Sequence, residues 1–157
     1  MATQFFDDSV RQILKLAATE AKKLGADHIG TEHLFLGLLA AESSGTAALL
    51  ADQNVTRAML LSEILKIALY DGGDGANVQL PYTSRAKRVI EFAIGEMKKY
   101  GNNMVTPDYL LLAILKNANI SVATQSLINT GFNLRVAEEK IRNRQSSATD
   151  ECLKPEK

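Results

Sequence analysis

The segment IGTEHLFLGLL, residues 29–39, brings three reactive side chains together: a hydroxyl at Thr31, a carboxylate at Glu32 and an imidazole at His33. A threonine and an acid just before an apolar run are typical of a helix start, because the hydroxyl can cap the first turn and the acid favours the helix dipole. We therefore predict that Thr31 caps a helix with Glu32 in its first turn, and we keep Glu32 as a candidate ligand-binding group.

A metal site is the second interpretation of the same segment. His28, Glu32 and His33 form the pattern H-x-x-x-E-H, which is one residue longer than the H-x-x-E-H motif of zinc proteases and crosses a predicted turn. Zinc ligands need a fixed geometry, which this spacing does not favour. The only cysteine, Cys152, lies in a polar C-terminal stretch, so no Cys/His nucleophile pair is suggested either. The sequence thus predicts no metal, no cofactor and no enzymatic activity.

The chain contains an internal repeat. Residues 10–39 align with residues 86–115 without a gap, at an offset of 76 residues. Glu20 then falls on Glu96, Gly25 on Gly101 and Glu32 on Asp108, and past residue 50 the offset becomes 77. Two unrelated amphipathic helices would not share the glycine, the acid and the turn between them, so we interpret the repeat as a tandem duplication.

The elements that must position these side chains are helices. Val10, Ile13 and Ala17 begin an apolar stripe at helical spacing, which predicts a helix from about Asp8 to Leu24, ended by Gly25 in a left-handed conformation. In the second copy, Thr106 is predicted to cap a helix whose first residue is Pro107. A third helix is predicted around 45–52 and 121–129, and a fourth after Thr56 and Asn133. The predicted fold class is all-α: a four-helix unit duplicated into about eight helices, forming one compact pseudo-twofold domain.

The predicted domain boundaries follow changes in composition. Residues 70–84 read YDGGDGANVQLPYTS, a glycine-rich and polar stretch that is typical of a connection. After about Arg144 the chain is polar and shows no apolar periodicity. We therefore predict a domain over residues 1–145, divided as follows: repeat one over about 5–69, a linker over 70–83, repeat two over about 84–145, and a flexible tail over 146–157.

Charge and hydropathy exclude several kinds of partner. The formal net charge of the 157 residues is zero, which gives no general attraction to nucleic acid or to an anionic membrane. No apolar run approaches the roughly 20 residues that cross a bilayer, and the N-terminus has no basic start followed by an apolar core. We therefore predict no nucleic-acid partner, no membrane association and a cytoplasmic location.

Two motifs resemble a known family. The segment IGTEHLFLGLL resembles the GTEH signature of the Clp (Hsp100) N-terminal repeat domain, and PYTSRAKRVIEFA, residues 81–93, resembles the start of that domain's second repeat, most closely in the ClpC type. The resemblance implies an all-α, pseudo-twofold domain on a AAA+ unfoldase, which receives adaptor proteins and protein substrates for delivery to a peptidase. No phosphate-binding loop of the form G-x-x-x-x-G-K-[ST] occurs in this sequence. Two hypotheses remain: the N-terminal domain of a ClpC-like unfoldase, monomeric in isolation, or a free-standing regulatory subunit that docks on a Clp complex.

The resemblance also implies a ligand. In ClpC-type domains the acid of each GTEH motif receives the guanidinium of phosphoarginine, while hydroxyl and basic groups nearby hold the phosphate. The candidate residues form two sets, one in each repeat, and the acid of each set is expected to face outward. Each set departs from the family pattern at one position. Asp108 replaces a glutamate in the second set, and Asp7 stands at the position of Thr83 in the first. The candidate residues are Arg11, Thr31 and Glu32 in repeat one, and Thr83, Lys87 and Asp108 in repeat two.

Overall fold

Helices account for nearly all the regular structure of the chain. The computed structural model describes residues 3–41, 45–67, 80–116 and 122–153. After a single 3₁₀ turn at Thr3–Phe5, the described part of the chain forms α1 (Asp8–Lys23), α2 (Thr31–Ala40), α3 (Thr46–Asp52), α4 (Arg57–Ile67), α5 (Ser84–Lys99), α6 (Pro107–Lys116), α7 (Val122–Asn129) and α8 (Leu134–Leu153). The prediction of an all-α fold built from two four-helix units is confirmed.

The backbone repeats as closely as the sequence does. α1 and α5 have 16 residues each, and α2 and α6 have 10 each. Gly25 and Gly101, at equivalent positions, both have φ of 76°, as the predicted helix ends require. At the later offset of 77, Asn54 with φ of 61° corresponds to Gly131 with φ of 87°. Asparagine is among the few residues other than glycine that tolerate this region, so the turn is preserved although the residue changes.

In each repeat, the segment that precedes the first helix pairs with a loop of the other repeat. Phe6 forms a parallel bridge with Val105, and Tyr82 forms one with Ile29. Phe6 and Tyr82 occupy equivalent positions in the two repeats, and so do Ile29 and Val105. The segment before α1 therefore pairs with the loop before α6, while the segment before α5 pairs with the loop before α2. This reciprocal exchange is what a pseudo-twofold axis produces.

The core is centred on α2 and α6. Thr31 to Leu38 and Tyr109 to Leu115 are all buried, so the leucine-rich runs are interior rather than solvent-facing. α1 packs closely on α2 at Gly37. A Cβ atom added there would lie 2.6 Å from the carbonyl oxygen of Ile13. Only glycine permits that approach between the two backbones.

Two acids at equivalent positions on the long helices also face inward. Glu20 in α1 and Glu96 in α5 are both buried. Arg57 lies 2.8 Å from the Glu20 carboxylate, and Arg142 lies 3.5 Å from that of Glu96. A mostly buried carboxylate needs such a partner, since an unpaired one is costly to desolvate. The duplicated sequence kept the acids, while the arginines come from non-equivalent positions.

The start of α2 differs from the sequence prediction. Thr31 is the first helical residue rather than the cap, and Gly30 occupies the N-cap position. The reason is that the Nδ1 atom of His33 accepts a hydrogen bond from the Gly30 backbone N–H at 2.9 Å, which satisfies that group from the third helical position. In the second copy Thr106 directly precedes α6 and Pro107 is its first residue, as predicted.

The C-terminal boundary differs too. α8 continues to Leu153, so residues 146–153 are helical although the sequence predicted a flexible tail from 146. Residues 134–153 contain no glycine or proline to interrupt a helix, and Ala137 and Ile141 anchor its first part in the core. None of the described helices is long and apolar enough to cross a bilayer.

The predicted linker is ordered at its end. Residues 70–79 of that segment lie outside the described residues. Leu80 is buried, and Pro81 and Thr83 form backbone hydrogen bonds with Ile29. Residues 80–83 therefore belong to the contact between the repeats rather than to a free connection.

Candidate functional site

Each of the two long helices, α1 and α5, forms a helical hairpin with the helix that follows it. α5 is followed by a short loop and then by α6, and the rings of Tyr100 and Tyr109 lie 6.0 Å apart across that loop. A helix of 16 residues is about 24 Å long. Thr83, just before α5, and Asp108, in the first turn of α6, therefore lie at opposite ends of the hairpin. Grouping Thr83 and Lys87 with Asp108 because they share a repeat is wrong, and so is the equivalent grouping in repeat one.

The exchange between repeats supplies the correct grouping. Ile29 donates its backbone N–H to the Pro81 carbonyl at 2.8 Å, and Thr83 donates its own to the Ile29 carbonyl at 3.0 Å. The start of α5 in repeat two thus lies beside the start of α2 in repeat one. We call this place the Glu32 corner, and it consists of Thr31, Glu32, Thr83 and Lys87.

The opposite corner forms in the same way. Asp7 donates its backbone N–H to the Val105 carbonyl at 3.2 Å, and Val105 donates to the Phe5 carbonyl at 2.6 Å. The start of α1 therefore lies beside the start of α6. We call this place the Asp108 corner, and it consists of Asp7, Asp8, Arg11 and Asp108.

Glu32 is far less accessible than the sequence interpretation expected. The residue is 7% exposed, whereas Asp108 is half-buried. The Glu32 carboxylate folds back over the N-cap residue of α2, Gly30. A Cβ atom added at Gly30 would overlap the Glu32 carboxyl group. The Glu32 Oε1 atom also lies 3.5 Å from the His33 Nδ1 atom. The expectation that both acids face outward is therefore wrong for Glu32.

His33 is neutral at physiological pH. It is 1% exposed, and this burial lowers the pKa of its imidazole to about 4. Because its Nδ1 atom accepts the Gly30 N–H, the hydrogen bond assigns the ring proton to Nε2. His28 is exposed and lies 2.8 Å from Asp27 instead. Among the residues that the structure describes, no group of three His, Cys, Asp or Glu side chains could hold a metal ion.

The Glu32 corner combines the three kinds of group that a zwitterionic ligand needs. Thr83 caps α5, because its Oγ1 atom accepts the Ala86 backbone N–H at 3.1 Å. Lys87 is one turn further on, and its side chain is exposed. The N-terminus of α5 carries no acid in its first turn, so its dipole and Lys87 together favour an anion. Glu32 is in the first turn of α2, and the loop that leads into α2 is hydrogen-bonded to Thr83.

The Asp108 corner has more acids than the Glu32 corner. The Asp7 side chain caps α1 by accepting the Val10 backbone N–H at 2.7 Å, and Asp8 follows it in the first turn. Asp108 in the first turn of α6 adds a third carboxylate to the elements that meet here. The cations at this corner are Arg11 from α1 and Lys98, whose ammonium lies 4.9 Å from the centroid of the Phe5 ring. Such a corner opposes the binding of a phosphate by like-charge repulsion.

Sequence reasoning missed Gly30 and Tyr82, which build the Glu32 corner. The repeat offset held a signal for the first, because it places Gly30 on Thr106 and thereby marks residue 30 as a helix cap. Tyr82 gave no comparable signal. Its bridge to Ile29 joins residues far apart in sequence, which a local pattern does not reveal.

Comparisons with known proteins agree on one family. The sequence model of the Clp repeat (R) N-terminal domain matches residues 5–129. The ATP-dependent Clp protease ATP-binding subunit ClpA homolog of Trieres chinensis is 32% identical over 152 residues, which are 96% of this chain and 17% of the relative. The negative regulator of genetic competence ClpC/MecB of Bacillus subtilis is 31% identical over 136 residues, which are 87% of this chain and 16% of the relative.

Solved structures show the same fold. The N-terminal domain of ClpD from Arabidopsis thaliana superposes with a TM-score of 0.76 at 20% identity, covering 93% of this chain and 97% of that one. The Hsp104 N-terminal domain from Candida albicans superposes with a TM-score of 0.70 at 13% identity, covering 87% of this chain and 88% of the other.

Proposed function

Because the chain belongs to the Clp repeat N-terminal domain family, we propose that it is a non-catalytic module that receives adaptor proteins and protein substrates for a ClpC-like AAA+ unfoldase. The match of the family model over residues 5–129 is the observation that carries this proposal. The chain spans 16–17% of the length of these Clp relatives. In the proposed role, an ATPase ring and a Clp peptidase would act on what the module delivers. We place this activity in the cytoplasm.

A competition assay tests the receiving role. Excess purified chain should slow the adaptor-dependent degradation of a protein substrate by a complete ClpC-type unfoldase and its peptidase, because the chain would occupy the adaptor or the substrate. The unfoldase's basal ATPase rate, measured without adaptor, should not change. Undiminished degradation at a large excess of chain would contradict the proposal.

We further propose that the Glu32 corner reads phosphoarginine. The Glu32 carboxylate would accept the guanidinium through paired hydrogen bonds, while the Thr83 hydroxyl and the Lys87 ammonium hold the phosphate. The exchange between repeats supports this assignment, since it gathers the three family-like residues in one corner. Both departures from the family pattern, Asp7 and Asp108, then lie in the other corner.

The burial of Glu32 also bears on affinity. A carboxylate with little water around it attracts a guanidinium more strongly than an exposed one. The Glu32 side chain is 10% exposed, so a guanidinium would reach only a small part of it. The corner therefore favours a small, planar cation over the broad face of a folded protein.

Calorimetric titration with free phosphoarginine measures this interaction directly. Lys87→Ala should weaken binding by about tenfold or more, because a hydrogen bond between charged groups contributes roughly 1.5–3 kcal/mol. Arg11→Ala, at the equivalent position of the Asp108 corner, is the matched control and should leave the affinity unchanged. Both side chains are exposed, and a circular-dichroism melt of each variant checks that the fold is kept.

Each other outcome has a definite meaning. Loss of binding in Arg11→Ala but not in Lys87→Ala would move the site to the Asp108 corner. No heat with the wild-type chain would remove phosphoarginine as a ligand, and the competition assay would still test adaptor and substrate docking.

A further inference from the structure

In the described part of the chain, two glycines lie inside helices, and only one has a packing reason. At Gly37 in α2, an added Cβ atom would lie 2.6 Å from the backbone of α1. At Gly95 in α5, an added Cβ atom would meet nothing within 4 Å, and the residue is exposed. Gly37 therefore admits a neighbouring backbone, whereas Gly95 has no neighbour to admit.

Because Gly95 lies in the interior of α5, its intrinsic propensity lowers the stability of that helix. Glycine inside a helix lowers helix stability relative to alanine, because it loses more backbone freedom on folding. The equivalent position in α1 is Thr19, which is also exposed and carries a side chain. α5 thus bears a strip of bare backbone on its outward side, and no contact among the described residues accounts for it.

Cations flank this strip. Arg88, Gly95 and Lys99 follow one another at helical spacings of seven and four residues, so they share a stripe about 16 Å long. Arg88 and Lys99 are exposed and form no ion pair with any described residue. Across the outward face of α5, the cations outnumber the single acid, Glu91. This face comprises Arg88, Glu91, Gly95, Lys99 and Lys98, whose ammonium also lies 4.9 Å from the centroid of the Phe5 ring.

We propose that the outward face of α5 is a docking surface for an acidic helical segment of a partner protein. The partner's backbone would cross α5 at Gly95, as α1 crosses α2 at Gly37, and its carboxylates would pair with Arg88 and Lys99. This deepens the proposed receiving function, on which it rests, by naming a surface separate from Glu32 and the chemistry of the partner.

The charge pattern favours a protein over a nucleic acid. Double-stranded DNA presents a phosphate charge about every 1.7 Å and is bound through an extended set of cations. The stripe on α5 has a cation at each end, Glu91 between them and a backbone strip at its centre. An acidic helix with small residues at its crossing point fits that arrangement.

The probe is a synthetic alanine-rich helical peptide of about sixteen residues with glutamates along one stripe, titrated into the ¹⁵N-labelled chain. We expect the amide shifts of Arg88 to Lys99 to move. Gly95→Leu should weaken binding by about tenfold, because a side chain there would block the crossing. Thr19→Leu, at the equivalent position on α1, is the matched control and should bind as the wild type does.

Folding and function are separated by two further measurements. Gly95→Leu meets no neighbour, so its melting temperature should equal or exceed that of the wild-type chain. Its affinity for phosphoarginine should be unchanged, which keeps a failure here distinct from a failure at the Glu32 corner. The proposal is overturned if Gly95→Leu binds the peptide normally, if α1 amides shift as much as those of α5, or if an oligonucleotide of equal charge binds this face more tightly.

Discussion

Replacing Gly37 with alanine should destabilise the fold by about 1–3 kcal/mol, because the new methyl group would overlap the α1 backbone. The added Cβ atom would lie 2.6 Å from the Ile13 carbonyl oxygen and 3.0 Å from the Ala17 backbone nitrogen. Neither atom belongs to a flexible side chain, so relief requires α1 and α2 to move apart. Urea unfolding followed by circular dichroism measures the change.

Gly95→Ala is the matched control, since it makes the same substitution in a helix without a neighbour. It should stabilise the chain by roughly 0.5–1 kcal/mol, the usual gain of alanine over glycine in a helix. Opposite signs for the two variants would separate packing from helix propensity. If Gly37→Ala proved as stable as the wild type, the close approach of α1 and α2 would be wrong.

The stability of the chain should fall as the pH drops from about 6.5 to 4, with His33 contributing on the order of 3 kcal/mol. Burial lowers the pKa of His33 to about 4, against 6.5 for an ordinary histidine. In that range the unfolded chain binds the proton and the folded chain does not, so the stabilisation is complete above pH 6.5 and is lost toward pH 4. The free energies of unfolding obtained from urea titrations at pH 7 and pH 5 should differ by about 2 kcal/mol.

Two variants isolate this titration. His33→Gln can still accept the Gly30 N–H through its amide oxygen, as a capping box does, but cannot titrate, so its stability should change much less between pH 7 and pH 5. His28→Gln removes the exposed histidine and should keep the wild-type slope. An unchanged slope in His33→Gln would show that His33 is not the titrating group.

The same residue links folding to the proposed ligand. His33 holds the Gly30 N–H, and the Glu32 carboxylate lies over Gly30. Protonation of the Nδ1 atom would remove its acceptor role and place a positive charge 3.5 Å from the Glu32 Oε1 atom. A guanidinium would then meet a competing cation, so phosphoarginine should bind more weakly once the pH falls to about 4, the folded-state pKa of His33. At pH 5 His33 stays mostly neutral in the folded chain, so the affinity there should be close to that at pH 7.

Local features of the sequence were enough to predict most of the helices. The start of α1 at Asp8, its end before Gly25 and the position of Pro107 each follow from capping and helical periodicity, which involve residues within a few positions of one another. The errors lay where a longer range mattered. α2 begins at Thr31 because His33 and Gly30 close its first turn, and α8 continues to Leu153 because its buried residues anchor an otherwise polar helix.

By itself, the sequence determined that this protein is a duplicated helical unit, because helical periodicity and the 76-residue offset both repeat along the chain. The motifs IGTEHLFLGLL and PYTSRAKRVIEFA indicated its resemblance to the Clp N-terminal family. Only the tertiary structure decided which residues share a corner. Hairpins separate the starts of consecutive helices, and the bridges of Phe6 with Val105 and of Tyr82 with Ile29 cross from one repeat to the other. Thr83 therefore lies beside the loop that leads to Glu32 rather than beside Asp108, because contacts over more than fifty residues are set by packing around the pseudo-twofold axis.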